Sequence, residues 1–400
     1  MTNIAILGFG VVGGGVAEMI TKNSAEIKKI SGEEINIKYI LDLRDFPDSP
    51  FADKVIHDYN VILADESVSV VIEVMGGSHP AYEYTVSALK SGKSVITSNK
   101  EVVANFGDEF LALAKENNVS YRFEASVGGG IPVISPIISA VTQNKIREVR
   151  GILNGTTNYI LTKMFSFGDS FESALADAQA KGYAEKNPDA DVLGIDAARK
   201  IVILAALVTG SLLSPDSIHT EGITKIRKSD VLAVEKIGAS IKLVGRCICD
   251  GEDVPYVLAA PFVVPTDSPL SSVCGVYNAI EVVGEPVENL MFYGRGAGAG
   301  PTASAIVGDI VQTIVYKGLG LPAFEKSEKV KCFDTFESKK YFAFEKNAKT
   351  SIESVFGKVN FIDSEECAFI TDVMSESETN SKIKKLSALG FKPLSQIRLL

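Results

Sequence analysis

Short apolar runs rich in β-branched residues alternate with segments of helical spacing over the first 127 residues. Residues 3–7 (NIAIL), 35–43 (INIKYILDL), 68–76 (VSVVIEVMG), 93–99 (KSVITSN) and 119–127 (VSYRFEASV) have strand length and strand composition. Between them, GFGVVGGGVAEMITKN reads as a glycine turn opening a helix, and AYEYTVSALKSG as a helix closed by glycine. Strands alternating with helices predict an α/β fold with a parallel, doubly wound sheet.

After GGGIPVISP the elements lengthen and mix. FESALADAQAKG and DAARKIVILAALVTG read as helices, and a second glycine-rich stretch, GRGAGAG (294–300), leads into the helical PTASAIVGDIVQTIVYKG. Pro301 suits a first helical turn. From about residue 325 the chain becomes more polar. It then reads strand (KKYFAFEK), helix (SIESVFGKV), strand (NFID), strand (ECAFITDV), helix (TNSKIKKLSALG), strand (KPLSQIRLL). The expected organisation is a nucleotide-binding unit over 1–130 completed by about 298–320, an α+β unit over 131–297, and a small βαββαβ unit over 325–400.

The first glycine stretch gives this layout a chemistry. Gly8, Gly10 and Gly13 form G-x-G-x-x-G directly between a strand and a helix. The first permits the tight turn, the second lets the backbone approach a pyrophosphate, and the third lets helix pack on strand. Phe9, Val11 and Val12, between these glycines, belong to the same cofactor-facing turn. Asp42, near the end of the second strand, can accept a bond from a ribose 2′-hydroxyl and favour NAD; Arg44 can pair a 2′-phosphate and favour NADP. Both readings stand, and the 29-residue step from Gly13 to Asp42 reflects an insertion around SGEE. Ligands of open α/β sheets bind at the carboxyl ends of strands, so Thr97, Ser98, Asn99 and Lys100 of TSNK are expected to face the crevice. Gly298 of the second glycine stretch joins the cofactor set.

GYAEKNPDADVLGIDAARK (182–200) concentrates Glu185, Asp189, Asp191 and Asp196 ahead of a very apolar helix. Asp196 and Lys200, four apart, share one helix face. With buried walls, such a lysine needs a partner and has a tunable pKa. Tyr159-x-x-x-Lys163 matches the Tyr/Lys pair of short-chain dehydrogenases, but Ile146 stands where that family has serine, so the match is read as chance.

Composition narrows the classes. The 400 residues are 46% hydrophobic and 22% charged, enough for a substantial core, and 40 basic against 50 acidic residues give a net charge of −10. That balance argues against a nucleic-acid partner. The start MTNIAILGFG lacks a signal-peptide pattern, and the longest apolar run, 201–208, is too short for a bilayer. A cytoplasmic protein with no membrane partner is expected. Five cysteines without zinc spacing and three histidines argue against a zinc alcohol dehydrogenase and push acid–base work onto lysine.

Four blocks, AYEYTVSALKSGKSVITSNKEVVA, EASVGGGIPVI, GILNGTTNYIL and GYAEKNPDADVLGIDAARK, resemble homoserine dehydrogenase, in that family's order. GRGAGAGPTASAIVGDI resembles its return to the nucleotide domain. The resemblance covers roughly 1–320, with Ser98 where the family usually has alanine. It implies a single-function enzyme that reversibly reduces L-aspartate 4-semialdehyde to L-homoserine with NADPH or NADH, on the route to threonine, methionine and isoleucine. It further implies Lys200 as proton donor, Lys100 beside the nicotinamide and the reacting oxygen, and Asp196 as positioner of Lys200. Glu185 and Asp191 become ligands of the substrate ammonium. A sodium ion held by backbone oxygens of Glu124, Val127, Gly129 and Ile131 and a homodimer or homotetramer also follow from the family. Aspartate dehydrogenase and a catalytically silent cofactor-sensing regulator are the alternatives; aspartate-semialdehyde dehydrogenase would need a catalytic cysteine that has no suitable context here. The C-terminal unit resembles an ACT domain whose effector turn, 345–354 (EKNAKTSIES), lacks the usual glycine and proline. It is expected to pair with a partner subunit and to bind threonine weakly or not at all.

Overall fold

The computed structural model describes residues 1–249, 254–317 and 320–400. Six parallel strands, β1 (Thr2–Leu7), β2 (Ile35–Leu41), β3 (Val55–Ile56), β4 (Val68–Glu73), β5 (Ser94–Thr97) and β6 (Tyr121–Arg122), form a sheet ordered β3-β2-β1-β4-β5-β6. The order reverses between β1 and β4, which opens a crevice at the carboxyl ends of those strands. One face buries Ile4, Ile6 and Ile72 against Val16 and Ile20 of helix Val11–Lys22 and against Ile306 and Ile310 of helix Ala299–Val315. The other buries Ala5, Leu7 and Val71 against Leu89, Val102 and Phe110. A sheet buried on both faces explains why these strands read as continuous apolar runs.

The run 119–127 makes a much shorter strand than its composition suggests. Extended backbone ends at Arg122; Phe123 departs with ψ 33 and Glu124–Ser126 forms a 3-10 turn. The Glu124 carboxylate accepts N–H bonds from Val133 (2.5 Å), Ile134 (2.6 Å) and Ser135 (3.0 Å) at the start of helix Ile134–Gln143. Its own N–H donates to Asp309 at 2.9 Å. Free donors and a helix dipole reward an acid here more than continued pairing would.

A second, mixed sheet runs through Glu288–Arg295, Tyr277–Glu285, Lys145–Ile152, Ala239–Ile248, Tyr256–Pro265, Ser395–Leu399, Lys340–Phe344, Cys367–Ile370 and Phe361–Ile362. Its last four strands, with helices Lys349–Phe356 and Glu376–Ala388, are the C-terminal βαββαβ segment in spatial order 4-1-3-2. The sequence leads one to expect a unit of 325–400 that pairs with a partner subunit. Within the chain, Ser395–Leu399 pairs in parallel with Tyr256–Pro265, through Phe262 with Arg398 and Val263 with Leu399. Buried Arg398 donates to Glu221 (3.0 Å) and Glu376 (2.8 Å) across the junction. Among the described residues no helix is long and apolar enough to cross a membrane.

Candidate active site

Strand β5 ends at Thr97, whose hydroxyl donates to the buried Glu73 carboxylate at 2.6 Å and accepts the Asn99 N–H at 2.9 Å. Burial raises Glu73 to about 7, against the hydrogen bonds it accepts. Asn99 donates to the Gly77 carbonyl at 2.7 Å and caps helix Lys100–Glu116 through Glu101 N–H at 3.1 Å. Ser98 is half-buried, its N–H bonded to the Glu73 carbonyl at 3.4 Å. The cap therefore fixes Lys100 as the first helical residue, and its Nζ lies 2.8 Å from Asp196 Oδ1.

Asp196 and Lys200 come from the helix Ile195–Thr209, entered through Gly194 at φ 85. Lys200 Nζ donates to Asp196 Oδ2 at 2.7 Å and to the Leu153 carbonyl at 2.8 Å. Both residues are buried. Asn154, which the sequence reading did not single out, ties this pair to the acidic loop. Its Nδ2 donates to Asp191 (2.7 Å) and Asp196 (2.9 Å), while its Oδ1 caps helix Gly155–Phe167 at Thr157 N–H (2.8 Å). The Asn-Gly-Thr-Thr start of a helix announces the cap; nothing local announces the two carboxylates on the other end of the amide.

Burial and charge set the protonation states. Burial lowers Lys200 below an ordinary lysine, Asp196 opposes the shift and Lys100 adds to it. Burial acts the same way on Lys100, but there the Asp196 charge outweighs it and the net shift is upward. For Asp196, burial is overcome by Lys200 and Lys100, which hold it well below the carboxylate range. Asp191 is raised by burial, with Asn154 opposing.

These groups wall a cavity of about 320 Å³ shared with Thr156, Tyr183, Arg295 and Gly298. Glu185 is exposed on the preceding loop and outside that wall; Asp189 opens the short helix Asp189–Val192 and is exposed as well. Tyr159 and Lys163 also lie outside the wall. The Tyr159 hydroxyl donates to Asp177 at 2.5 Å, and Lys163 sits 3.3 Å from Asp169.

The glycine turn fits a dinucleotide. Gly8 has φ 96, and a Cβ on Gly13 would fall 2.0 Å from the Gly8 carbonyl oxygen, so neither tolerates a side chain. A Cβ on Gly10 would meet nothing within 4 Å, which leaves its backbone open to a pyrophosphate at the start of helix Val11–Lys22. Val11 is exposed, Val12 half-buried, and Phe9 packs edge-on against Phe46. The Phe9 N–H donates to Asp42 Oδ2 at 2.8 Å, and Arg44 binds both oxygens of that carboxylate at 2.9 and 3.0 Å. With burial opposing, Arg44 foremost holds Asp42 well below its usual range. A second cavity of about 370 Å³, lined by Asp42, Arg44, His57 and Tyr84 among others, extends this end of the crevice.

No group of His, Cys, Asp and Glu among the described residues is arranged to hold a metal. The turn after β6 offers a different donor set. It consists of the carbonyl oxygens of Glu124, Val127, Gly129 and Ile131, in a stretch where Gly128 and Gly129 are both left-handed at φ 73 and 56. Hard oxygen donors in a turn suit an alkali cation.

Comparison with known proteins agrees with this arrangement. The family model described as homoserine dehydrogenase matches residues 132–311, and that described as its NAD binding domain matches 8–124. Homoserine dehydrogenase of Lactococcus lactis is 40% identical over 318 residues, covering 78% of this chain and 74% of the relative. That of Bacillus subtilis is 39% identical over 340 residues, covering 82% and 77%. Among solved structures, homoserine dehydrogenase from Thiobacillus denitrificans superposes with TM-score 0.92 at 30% identity, covering 100% of this chain and 98% of that one. A hyperthermophilic archaeal homoserine dehydrogenase mutant in complex with NADPH gives 0.67 at 28% identity, over 79% of this chain and 98% of that one. With the doubly wound nucleotide sheet, the glycine turn and the two-lysine cavity in place, this chain belongs to the homoserine dehydrogenase family of NAD(P)-dependent oxidoreductases.

Proposed function

We propose that in the interconversion of L-aspartate 4-semialdehyde and L-homoserine Lys200 is the proton donor, Lys100 a second cation at the reacting oxygen, and Asp196 their common positioner. The observation that carries this reading is the pair of lysines on opposite oxygens of one buried carboxylate at the cavity wall. When bound, the nicotinamide supplies the hydride to the aldehyde carbon. The negative charge that develops on the aldehyde oxygen needs a positioned acid or cation. Lys200, with a pKa brought down by burial, gives up its proton more readily than a solvated lysine. Lys100 keeps its charge and stabilises the oxygen electrostatically. In the reverse direction neutral Lys200 takes the hydroxyl proton.

Asp191, at the cavity wall, holds the substrate ammonium together with Glu185 of the preceding loop. A cationic ligand offsets the burial that raises Asp191 and keeps it ionised. Asn154 keeps Asp191 and Asp196 in fixed relation. The turn Gly8, Phe9, Gly10, Val11, Val12 and Gly13, with Thr97, Ser98, Lys100 and Gly298, holds the dinucleotide. NAD is the preferred form, because Asp42 stays ionised at the adenosine end and repels a 2′-phosphate. A sodium ion at the carbonyls of Glu124, Val127, Gly129 and Ile131 would brace the turn into helix Ile134–Gln143. Residues 1–130 with 298–320 act as the nucleotide unit, 131–297 as the substrate and assembly unit of a cytoplasmic homodimer or homotetramer, and 325–400 as an ACT-like unit. Homoserine-dependent reduction of NAD and of NADP, measured for the unaltered enzyme and for Lys200→Ala, tests the reading directly.

A further inference from the structure

We infer that Arg295 is the receptor for the substrate's α-carboxylate and the residue by which the cavity selects an amino acid over a plain amine or alcohol. The inference rests on the reading of this cavity as the homoserine site. Homoserine and its aldehyde carry an ammonium and a carboxylate on the same carbon, so a site that holds the first with acids needs a cation nearby for the second. Three cationic side chains face the cavity: Lys100, Lys200 and Arg295. Both lysines are already bonded to Asp196, at 2.8 and 2.7 Å. The Arg295 guanidinium has no carboxylate partner among the described residues.

Its placement is rigid where it must be. Arg295 is the last residue of strand Glu288–Arg295 and pairs in register with Tyr277. Its carbonyl accepts the Gly130 N–H at 3.3 Å. The guanidinium lies over the Tyr277 ring at 5.7 Å, while Tyr293, two residues earlier on the same face, stacks on that ring at 5.1 Å and 14°. An aromatic face steadies a guanidinium and leaves its N–H edge free. The next residue, Gly296, lies so close to Asn278 that a Cβ there would sit 2.2 Å from the Asn278 amide, so the backbone cannot swing the arginine away cheaply. A planar fork on a fixed platform suits a bidentate bond to carboxylate.

The test compares L-homoserine with L-homoserine amide, which keeps shape and ammonium but has no carboxylate charge, in the unaltered enzyme, Arg295→Gln and Arg295→Lys. The unaltered enzyme should favour homoserine in kcat/KM by about 10–100-fold. Arg295→Gln should bring the two substrates within severalfold of each other by losing homoserine turnover at low concentration, with the nucleotide KM unmoved. Arg295→Lys should recover part of the preference. Arg295 is exposed, so the variants should melt with the parent. Retained preference in Arg295→Gln, or a raised nucleotide KM with unchanged homoserine KM, would overturn the assignment. If the unaltered enzyme did not oxidise homoserine at all, the site reading would fall first and Arg295's role with it.

Discussion

Lys100 and Lys200 approach one carboxylate from opposite sides, with Nζ atoms 2.8 and 2.7 Å from Oδ1 and Oδ2 of Asp196. They belong to different layers: Lys100 begins a helix that follows the parallel sheet, and Lys200 lies one turn into the buried helix Ile195–Thr209. One acid between two lysines cannot neutralise both, so the cluster carries a net positive charge at the cavity wall. Burial resolves the imbalance unevenly, lowering Lys200 and leaving Lys100 raised. The same asymmetry suits Lys200 to the proton transfer and Lys100 to the charge stabilisation proposed for them.

Lys200→Ala should cost about 10²–10⁴ in kcat and leave dinucleotide binding nearly unchanged. In the aldehyde-reducing direction the active form is the protonated lysine, so kcat/KM should fall as pH rises through its lowered pKa. Asp196→Asn removes the charge that props Lys200 up, and should shift that fall to lower pH. Rate against pH for the two enzymes checks it. An unmoved limb in Asp196→Asn would show that Lys200 is not the group being titrated.

Asp191→Ala and Glu185→Ala should raise the homoserine KM with little effect on the nucleotide KM. A charge-assisted bond lost at Asp191 amounts to about 1.5–3 kcal/mol, or roughly 10–150-fold. Glu185 is exposed on its loop, so its variant should show the smaller rise unless the loop closes on substrate. Steady-state kinetics with both reactants varied separates the cases, and two unchanged homoserine KM values would refute the ammonium assignment.

The adenosine end yields a test of the Asp42–Arg44 pair. Arg44 donates through Nε and Nη2 to both oxygens of Asp42, so the guanidinium is turned toward the acid rather than toward a phosphate. The unaltered enzyme should prefer NAD. Asp42→Ala releases Arg44 and should raise kcat/KM for NADP about 10-fold or more while NAD suffers. A parent enzyme that prefers NADP would contradict this account.

Much of this was legible in the sequence, for physical reasons that differ by element. Buried parallel strands and the Gly8-x-Gly10-x-x-Gly13 turn leave strong local marks, because sterics at φ 96 and the 2.0 Å approach at Gly13 dictate residue type. Asp196 and Lys200 share a helix face and so can be paired from spacing alone. Asn154 leaves no local mark for its role, because its contacts with Asp191 and Asp196 span 37 and 42 residues. The strand expected to run on to Val127 stops early because Glu124 finds better partners in the N–H groups of a helix further along. Parallel pairing of Phe262 with Arg398 is equally silent, since only the folded sheet brings those strands together.

Glu73 should leave a signature in stability rather than in rate. Burial raises its carboxyl to about 7 in the folded protein, from about 4.5 for an ordinary glutamate. The folded protein therefore holds a proton that the unfolded chain releases, and stability falls as pH rises from about 4.5 through about 7. Glu73→Gln lacks that loss. From pH 5 to pH 8 the difference in unfolding free energy should move in the variant's favour by about 1–3 kcal/mol. Denaturant titrations at the two pH values measure it, and a pH-independent difference would show that Glu73 is not the titrating group.

The C-terminal segment should respond poorly to threonine. In the ACT module that it resembles, glycine and proline in the first strand-to-helix turn let an amino acid approach the backbone. Here that turn, the 3-10 segment Lys346–Ala348 leading into helix Lys349–Phe356, contains neither. The Lys346 carbonyl already accepts a bond from Cys367 Sγ at 3.1 Å, and Ala348 is fully buried. The sheet edge formed by Ser395–Leu399 is also committed within the chain, and Arg398 bridges Glu221 and Glu376. The segment is thus tied to strand Tyr256–Pro265 and to Glu221 of the same chain. We expect less than twofold inhibition at millimolar threonine and no heat of binding by calorimetry. Arg398→Ala should instead lower the melting temperature, because it leaves Glu376 buried without its guanidinium partner. Strong inhibition by sub-millimolar threonine would show that this turn still senses the amino acid and that the ties to Glu221 and Glu376 do not immobilise it.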